Sequence, residues 1–503
     1  MTEVAASEFR LPQAVALVGG GVIGGGWAAR LLLNGIDVSV YDPGPDAERR
    51  LLEVVDHARA AFDRLTFAPL PPEGRLSFAD SIEAAVSGAE FVQESTPERL
   101  ELKQELLAQI SRSVAPDVPI ASSTSGLRPT DMAKAMDSPE RLLVGHPFNP
   151  VYLIPLVELC GGTLTSSSVI ERAGSLYRGI GMHPVTVRTE VDGFLADRLL
   201  EALWREALWL VNDDVATVSE LDDAIRYGAG LRWAFMGTFL TYRIAGGEQG
   251  MHHFLEQFGP ALALPWTKLS DVPELTPELI DKIVAQSDAQ AAGQSVSALE
   301  QWRDESLVSL LHGLRSQDSG AGATLAQWER RLMSIAPSGM ASDAAGEQIA
   351  APLVLVDREV PPSWIDYNGH MTESRYLELF SEAVDALLRW IGVTGDYLES
   401  GRSYFTVETH LRHLGQLFAG ERVTVSTQML AYDEKRIHLF HSIARHGEQE
   451  PVATAEQMQL HVDSTAGRAS PAGAEVLARV RALCDAHATL TVPDAVGRRI
   501  VIP

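Results

Sequence analysis

The first 190 residues alternate between short apolar runs and longer helical patterns. Ala14 to Val18 is an apolar run of the kind that a buried parallel strand needs, and a glycine-rich turn and a helical stretch ending at Asn34-Gly35 follow it. Because helical stretches separate the apolar runs, we predict an open, mostly parallel sheet of the α/β class. Further strands are predicted at residues 37–42, 91–92, 119–122 and 141–145.

From Gly193 the apolar pattern becomes helical. A long helix is predicted from Phe194 to Val211, and Thr217-Val218-Ser219-Glu220 has the form of a capping box whose helix ends at Gly228. Helical patterns continue to about Met333 without a convincing strand. We therefore predict a second, all-helical domain.

The pattern changes again after residue 335. Residues 336–348 are rich in Ala, Ser and Gly and have no apolar period, which is typical of a linker. Beyond them, a strand from Pro352 to Val360, a helix from Ser374 to Trp390 and several alternating strands indicate an independent α+β domain. The predicted order is an α/β domain at residues 10–190, a helical domain at 191–335, a linker at 336–350, an α+β domain at 351–480 and a C-terminal tail at 481–503.

Composition and charge narrow the classes of function. The 503 residues include 67 Asp and Glu against 41 Lys and Arg, and the resulting net charge of -26 disfavours nucleic acid and membrane as partners. Cys160 and Cys484 are too few for a disulfide framework or a cysteine metal site. With no secretory signal pattern and no long apolar run, we expect a cytoplasmic protein.

A glycine-rich motif follows the first predicted strand and opens the first helix. Gly19-Gly20-Gly21-Val22-Ile23-Gly24 matches G-x-G-x-x-G, and Asp42 lies 18 residues after Gly24, at the end of the next strand. Such glycines let a pyrophosphate approach the helix start, and the acid accepts from ribose hydroxyls but repels a 2′-phosphate. NAD is therefore predicted rather than NADP, although a turn without a ligand remains the alternative. The predicted contacts are Gly19, Gly21, Val22, Ile23, Gly24 and Asp42.

A histidine and a glutamate form a second candidate group. His146 lies in Gly145-His146-Pro147-Phe148-Asn149-Pro150, and Glu158 follows it by twelve residues. Oxidation of an alcohol needs a base for the hydroxyl proton, which histidine can supply, and a carboxylate can stabilise the imidazolium. From the residues alone, such a pair is more often structural than catalytic.

Four motifs together resemble the 3-hydroxyacyl-CoA dehydrogenase superfamily over about residues 10–330. They are the run from Gly19 to Gly24, residues 121–127, the His146 block with Glu158, and residues 193–199. The resemblance implies that His146 is the general base and that Glu158 orients it. It also implies three further contacts: Ser125 and Asn149 with the substrate, and Glu98 at the cofactor edge.

One departure from that pattern concerns the substrate. Asp197 stands where the acyl-CoA enzymes usually have Asn, and a carboxylate there favours a cationic substrate. Trp233 and Phe235 are either core residues or part of a cation–π cage for a quaternary ammonium group. The region resembles the carnitine dehydrogenase branch, which implies NAD-dependent oxidation of L-carnitine to 3-dehydrocarnitine. The helical domain is expected to form the interface of a homodimer or a higher homo-oligomer.

The third domain contains a separate motif. Trp364 to Thr372 resembles the Asp-x-x-Gly-His-x-Asn signature of hotdog thioesterases of the 4-hydroxybenzoyl-CoA type, with Thr372 in place of the Asn. The resemblance covers about residues 352–465 and implies that Asp366 is the nucleophile or general base on a thioester. Glu378 and Glu382 either contribute or lie on a solvated helix face, and no metal site is expected.

The two resemblances fit together chemically. The chain is similar to a fusion of these two family types that combines carnitine oxidation with betainyl-CoA thioesterase activity. We therefore expect a bifunctional enzyme that uses NAD and acts on L-carnitine and on a short cationic acyl-CoA. The alternative is a 3-hydroxyacyl-CoA or other L-3-hydroxy acid dehydrogenase whose hotdog domain only binds acyl-CoA or dimerises.

Overall fold

The computed structural model describes residues 10–66, 68–245, 254, 274, 276–335, 349–361, 364–394, 397–398 and 400–500. The chain folds as two units, one of residues up to 66 and 70–329, the other of residues 67–69 and from 330 onward. Most of the predicted linker at 336–350 lies outside the described residues. Among the described helices, none has the length and apolar character needed to cross a membrane.

A mostly parallel sheet forms the centre of the first unit. Its strands are β1 (Ala14–Val18), β2 (Asp37–Tyr41), β3 (Leu76–Phe78), β4 (Phe91–Glu94), β5 (Ile120–Ser122), β6 (Leu142–Pro147), β7 (Leu156–Gly161) and β8 (His183–Val187). They lie in the order β3-β2-β1-β4-β5-β6-β7-β8, and only β6 and β7 are antiparallel neighbours. β4, β5 and β6 are buried at every position, as central strands covered on both faces must be.

Helices cover this sheet and then continue as a helical domain. Those within the sheet region are α1 (Val22–Leu32), α2 (Ala47–Leu65), α3 (Ile82–Val86), α4 (Leu100–Ser113), α5 (Pro129–Met132) and α6 (Ser167–Gly179). Those that follow are α7 (Ala196–Asn212), α8 (Val218–Ala224), α9 (Gly230–Trp233), α10 (Gly237–Ala245), α11 (Pro277–Ala291), α12 (Val296–Arg315) and α13 (Gly320–Ile335).

The capping box predicted at Thr217 is confirmed. The Thr217 hydroxyl oxygen accepts the Glu220 backbone N–H at 3.3 Å, and the Glu220 carboxylate accepts the Thr217 N–H at 2.8 Å. The helix ends earlier than predicted, because a π-helical turn spans Ile225–Ala229 and Gly228 inside it is non-helical. The two strands β7 and β8 were not predicted from the apolar pattern.

The second unit is a hotdog, an antiparallel sheet against one long helix. Its elements are β9 (Leu353–Glu359), α14 (Glu373–Trp390), β10 (Arg402–His413), β11 (Arg422–Tyr432), β12 (Arg436–Arg445), β13 (Pro451–Asp463), β14 (Arg468–Ala469) and α15 (Ala474–His487). The sheet order is β10-β13-β12-β11-β9, with β14 beside β13. α14 buries Tyr376, Phe380, Ala383 and Leu387, whose spacing of three or four residues forms one helix face.

The hotdog core extends beyond residue 480. Val476, Val480 and Leu483 of α15 are buried in the same apolar cluster as Leu387 of α14. The predicted boundary between the hotdog and the C-terminal tail therefore falls inside a helix that packs on the core. Neither α15 nor β10 was predicted from the sequence.

Candidate active sites

The motifs of the first unit meet at one edge of its sheet. The parallel strands β1, β4 and β5 end at Val18, Glu94 and Ser122, so the loops that follow them lie side by side. The hydroxyl oxygens of Ser95 and Ser123, in two of these loops, are 2.8 Å apart. The strand order reverses between β1 and β4, which is where doubly wound sheets bind dinucleotides.

Two glycines of the first motif, Gly19 and Gly24, are required by close backbone contacts. Gly19 has a φ of +102°, and a Cβ there would lie 2.5 Å from the Ser95 carbonyl oxygen. A Cβ on Gly24 would lie 1.9 Å from the Gly19 carbonyl oxygen. By contrast, a Cβ on Gly21, the N-cap of α1, would have no neighbour within 4 Å. The helix start thus has the free space that a pyrophosphate needs.

Asp42 has the chemistry to bind a ribose. One carboxylate oxygen accepts the Gly20 N–H and the other accepts the Gly44 N–H, both at 2.7 Å. Each oxygen keeps acceptor capacity for a hydroxyl group. Arg49, a nearby cation, pairs with Glu53 at 2.6 Å on the exposed face of α2. The residues present fit NAD.

A buried lysine beside Glu98 was not singled out from the sequence. Lys103 is only 1% exposed; its ammonium group donates to Glu94 at 2.8 Å and lies 3.7 Å from Glu98. Glu98 also accepts the Thr124 hydroxyl and the Gly126 N–H, so it holds the loop that carries the exposed Ser125. The available signal was the position of Lys103 on the apolar face of α4.

The register of β6 and β7 brings His146 and Glu158 together. They are directly opposed residues of the antiparallel pair, and His146 Nδ1 lies 3.0 Å from Glu158 Oε2. The other Glu158 oxygen accepts the N–H groups of Leu195 and Ala196 at 2.9 and 3.0 Å, at the start of α7. Burial alone raises the pKa of Glu158, but the hydrogen bonds from His146 and from this backbone outweigh it and hold the pKa below its ordinary value. An ionised Glu158 favours the imidazole tautomer with a proton on Nδ1, which leaves Nε2 available as a base.

Asp197 faces the other nitrogen of the same imidazole. Its Oδ2 lies 3.8 Å from His146 Nε2, and its side chain is 23% exposed. Burial is the main reason that the pKa of Asp197 is raised, and the negative charges of Glu158, Glu201 and Glu98 add to it, while His146 acts in the opposite direction. This accumulation of carboxylates makes the site favourable for a cation.

The other predicted substrate contacts differ in their exposure. Asn149 is exposed in the loop after β6, and Phe235 is 47% exposed while Trp233 is partly buried. Among the described residues, the aromatic rings recorded next to the His146 ring are those of Phe148 and Phe194, at 5.1 and 5.8 Å between centroids. Neither ring was singled out from the sequence.

In the second unit, Asp366 lies in a tight turn before α14. The Gly369 N–H donates to the Asp366 carbonyl oxygen at 3.0 Å, and Gly369 has a positive φ of +82°. One Asp366 carboxylate oxygen accepts the Asn368 N–H at 2.8 Å. The N-cap Thr372 directs its hydroxyl to the Trp364 carbonyl oxygen at 3.1 Å, so its side chain does not cap α14. The helix start can therefore offer N–H groups to a thioester carbonyl beside Asp366.

Glu382 does not lie on a solvated helix face. Its side chain is 11% exposed and pairs with Arg358 of β9 at 3.0 Å. Glu378, one turn earlier, pairs with Arg375 on the same helix and is 31% exposed. The two glutamates therefore have different surroundings despite their similar positions on α14.

Family models cover both units. The NAD-binding domain of 3-hydroxyacyl-CoA dehydrogenase matches residues 14–191, its C-terminal domain matches residues 193–286, and the thioesterase-like superfamily matches residues 360–480. The chain belongs to the 3-hydroxyacyl-CoA dehydrogenase family and carries, in addition, a domain of the thioesterase-like superfamily. The cofactor of this family's first domain is NAD, in agreement with the fit around Asp42.

Individual relatives indicate which members of these families the chain is similar to. The chain is 53% identical over 490 residues, 96% of its length and 98% of the relative's, to an L-carnitine dehydrogenase/betainyl-CoA thioesterase of Rhizobium meliloti. It is 54% identical to an L-carnitine dehydrogenase of Pseudomonas putida, over 61% of this chain and 95% of that protein. Among solved structures, an NAD+-dependent 5-formyl-3-hydroxy-2-methylpyridine 4-carboxylic acid 5-dehydrogenase is 29% identical, with a TM-score of 0.51 over 60% of this chain and 97% of the other.

Replacing Asp42 by Asn should weaken cofactor selection. The amide nitrogen of Asn cannot accept from a ribose hydroxyl, and the neutral side chain no longer repels a 2′-phosphate. We expect the KM for NAD to rise about tenfold and the preference for NAD over NADP to fall, as measured by NADH and NADPH formation. Arg49→Gln is the matched control and should change neither quantity; an unaltered NAD preference in Asp42→Asn would contradict the assignment.

Proposed function

We propose that this chain oxidises L-carnitine at its 3-hydroxyl to 3-dehydrocarnitine with NAD, and that its hotdog domain hydrolyses betainyl-CoA. The observation that carries the first part is the position of Asp197, whose carboxylate lies 3.8 Å from His146 Nε2. A substrate hydroxyl bonded to that nitrogen has its neighbouring groups within reach of Asp197. The full-length relatives named for both activities support the pairing of the two reactions.

His146 is proposed to act as the general base. Nε2 takes the proton of the carnitine hydroxyl while the hydrogen on C3 leaves as hydride, and the C–O single bond becomes a carbonyl. Glu158 holds the imidazole through Nδ1 at 3.0 Å and stabilises the imidazolium that forms. Bound NAD supplies the hydride acceptor. The backbone N–H groups of Leu195 and Ala196 keep Glu158 ionised and in place.

Asp197 is proposed to recognise the trimethylammonium group. In carnitine this group is one methylene away from the carbon that carries the reacting hydroxyl, so Nε2 and the ammonium site must be neighbours. A carboxylate in partly buried surroundings attracts such a cation more strongly than one in water does. We assign Ser125 and Asn149 to the remaining polar groups of the substrate, and Trp233 and Phe235 to the outer wall of the ammonium site.

Asp366 is proposed to act on the thioester carbonyl. As a nucleophile it bonds to the carbonyl carbon, the C–S bond breaks, and water then hydrolyses the resulting acyl–aspartyl anhydride; as a general base it instead takes a proton from the water that attacks the carbonyl carbon. In both routes CoA leaves as the thiolate and takes up a proton released by that water. The N–H groups at the start of α14 stabilise the negative charge on the carbonyl oxygen. The turn bond from Asn368 to the Asp366 carboxylate leaves its second oxygen directed to a weak contact at 3.5 Å, and hence available.

We further propose that the enzyme is a homodimer that works in the cytoplasm, where NAD and CoA are available. Four large apolar side chains of α7 are between 44% and 70% exposed: Leu199, Leu200, Leu203 and Trp204. A second copy that covers them would remove this apolar surface from water.

Light scattering should give twice the chain mass, and Trp204→Glu should shift the mass towards that of one chain. A single-chain mass for the unaltered protein would contradict the dimer.

Asp197→Asn should remove the preference for a cationic substrate. We expect the KM for L-carnitine to rise at least about tenfold, because the ammonium group loses its carboxylate partner. The matched substrate is a neutral carnitine isostere with a tert-butyl group in place of trimethylammonium, whose KM should not rise. NADH absorbance reads both reactions. An equal loss on both substrates would mean that Asp197 acts on His146 and not on the substrate cation.

Turnover of 3-hydroxybutyryl-CoA without turnover of L-carnitine would overturn the proposed substrate.

The two active sites should respond separately to substitution. His146→Gln is expected to lower kcat for NADH formation about a thousandfold, since it removes the base, and to leave thioester hydrolysis unchanged. Asp366→Asn is expected to do the reverse, with free thiol as the readout for hydrolysis. Loss of both activities in either variant would show that the units do not act independently.

A further inference from the structure

A buried ion pair connects the long helix of the hotdog to its first strand. Glu382 of α14 lies 3.0 Å from Arg358 of β9, and both side chains are less than 15% exposed. The Arg358 guanidinium also lies 4.8 Å from the ring centroid of Trp364, which is 5% exposed. Glu382, Arg358 and Trp364 therefore form a continuous chain of contacts inside the domain.

Trp364 in turn anchors the turn that carries Asp366. Its carbonyl oxygen accepts both the backbone N–H of Thr372, at 2.8 Å, and the Thr372 hydroxyl, at 3.1 Å. Between these two residues, Ile365 and Met371 form an isolated β-bridge, which closes the turn at its base. Movement of Trp364 would thus displace both ends of the turn and the start of α14.

We propose that Glu382 and Arg358 are a positioning pair for the hotdog site: Glu382 holds the Arg358 guanidinium on Trp364, and Trp364 fixes the turn that presents Asp366 to the thioester. This inference rests on the thioester hydrolysis proposed above. In this arrangement both residues act on the site through Trp364 and are positioning residues.

The charge state of Glu382 gives this pair a pH dependence. Burial raises the pKa of Glu382 to about 7; Arg358 on β9 opposes the shift, while Glu378 and Asp385 on the same helix add to it. Because the pKa in the fold exceeds the ordinary value, the stability contributed by protonated Glu382 is lost as the pH rises through about 7. The same rise in pH ionises Glu382, which then forms a charged pair with Arg358. Ionisation of Glu382 therefore costs stability while it strengthens the attraction between Glu382 and Arg358.

The test compares the full-length protein with Glu382→Gln over pH 5.5–8.5. Betainyl-CoA hydrolysis is followed by thiol release, and NADH formation from L-carnitine is the internal control. We expect kcat for hydrolysis by the unaltered protein to rise at least about threefold with a midpoint near pH 7, and Glu382→Gln to stay at the low level with its KM within about twofold. The matched control is Glu475→Gln on an exposed position of α15, which should keep the rise.

A second variant separates charge from geometry. Arg358→Lys retains the positive charge but not the planar group that stacks on Trp364, so we expect it to lower kcat for hydrolysis at pH 8 as well. A Glu382→Gln protein that keeps the full rise through pH 7 would overturn the inference. So would a Glu382→Gln protein whose hydrolysis falls equally at every pH together with its melting temperature, because that result indicates only structural damage.

A third measurement does not depend on turnover. If the unaltered chain hydrolyses no betainyl-CoA, the proposed function fails, and the inference is then decided by a double-mutant cycle of melting temperatures at pH 8. The change in melting temperature caused by Glu382→Gln should differ between the unaltered protein and the Trp364→Phe background, because Trp364→Phe alters the ring over which the Arg358 guanidinium lies. Additive shifts would contradict the coupling between the pair and Trp364.

Discussion

The candidate active site of the first unit depends on the antiparallel pairing of β6 with β7. All other neighbouring strands of this sheet are parallel, and the one antiparallel pairing sets His146 opposite Glu158, twelve positions later in the chain. A register shift of one residue would turn Glu158 to the other face of the sheet and leave a buried carboxylate without its partner. The hydrogen bond at Nδ1 is therefore fixed by the backbone ladder rather than by a mobile loop.

The same carboxylate joins the sheet to the helical domain. With its second oxygen, Glu158 accepts two N–H groups at the start of α7, and Asp197 lies in the first turn of that helix. Glu158 thus determines the orientation of the imidazole and the place from which Asp197 reaches its other nitrogen. Glu158 therefore aligns the His146 imidazole and the proposed cation site with each other.

Local signals predicted much of this arrangement. β1, β2 and α1 were predicted because apolar period and glycine spacing are properties of adjacent residues, and the family motifs singled out His146, Glu158 and Asp366. The sequence does not predict contacts between segments that are far apart in the chain. The 3.8 Å approach of Asp197 to His146 depends on how α7 docks, and the burial of Glu382 depends on Arg358, from a strand before the helix. β10 was missed because most of its side chains are exposed or only partly buried, so its apolar period is weak.

The two carboxylates that flank His146 also bear on the direction of the reaction. In the proposed reaction, oxidation of the alcohol leaves a proton, and hence a positive charge, on the His146 imidazole, which has Glu158 on one nitrogen and Asp197 near the other. The oxidised product would still contain its ammonium group, so the imidazolium and the product cation would then share Asp197. With the roles proposed above, Asp197 therefore binds the product cation less tightly than it binds the substrate cation. The enzyme returns to its resting charge when the imidazolium loses its proton.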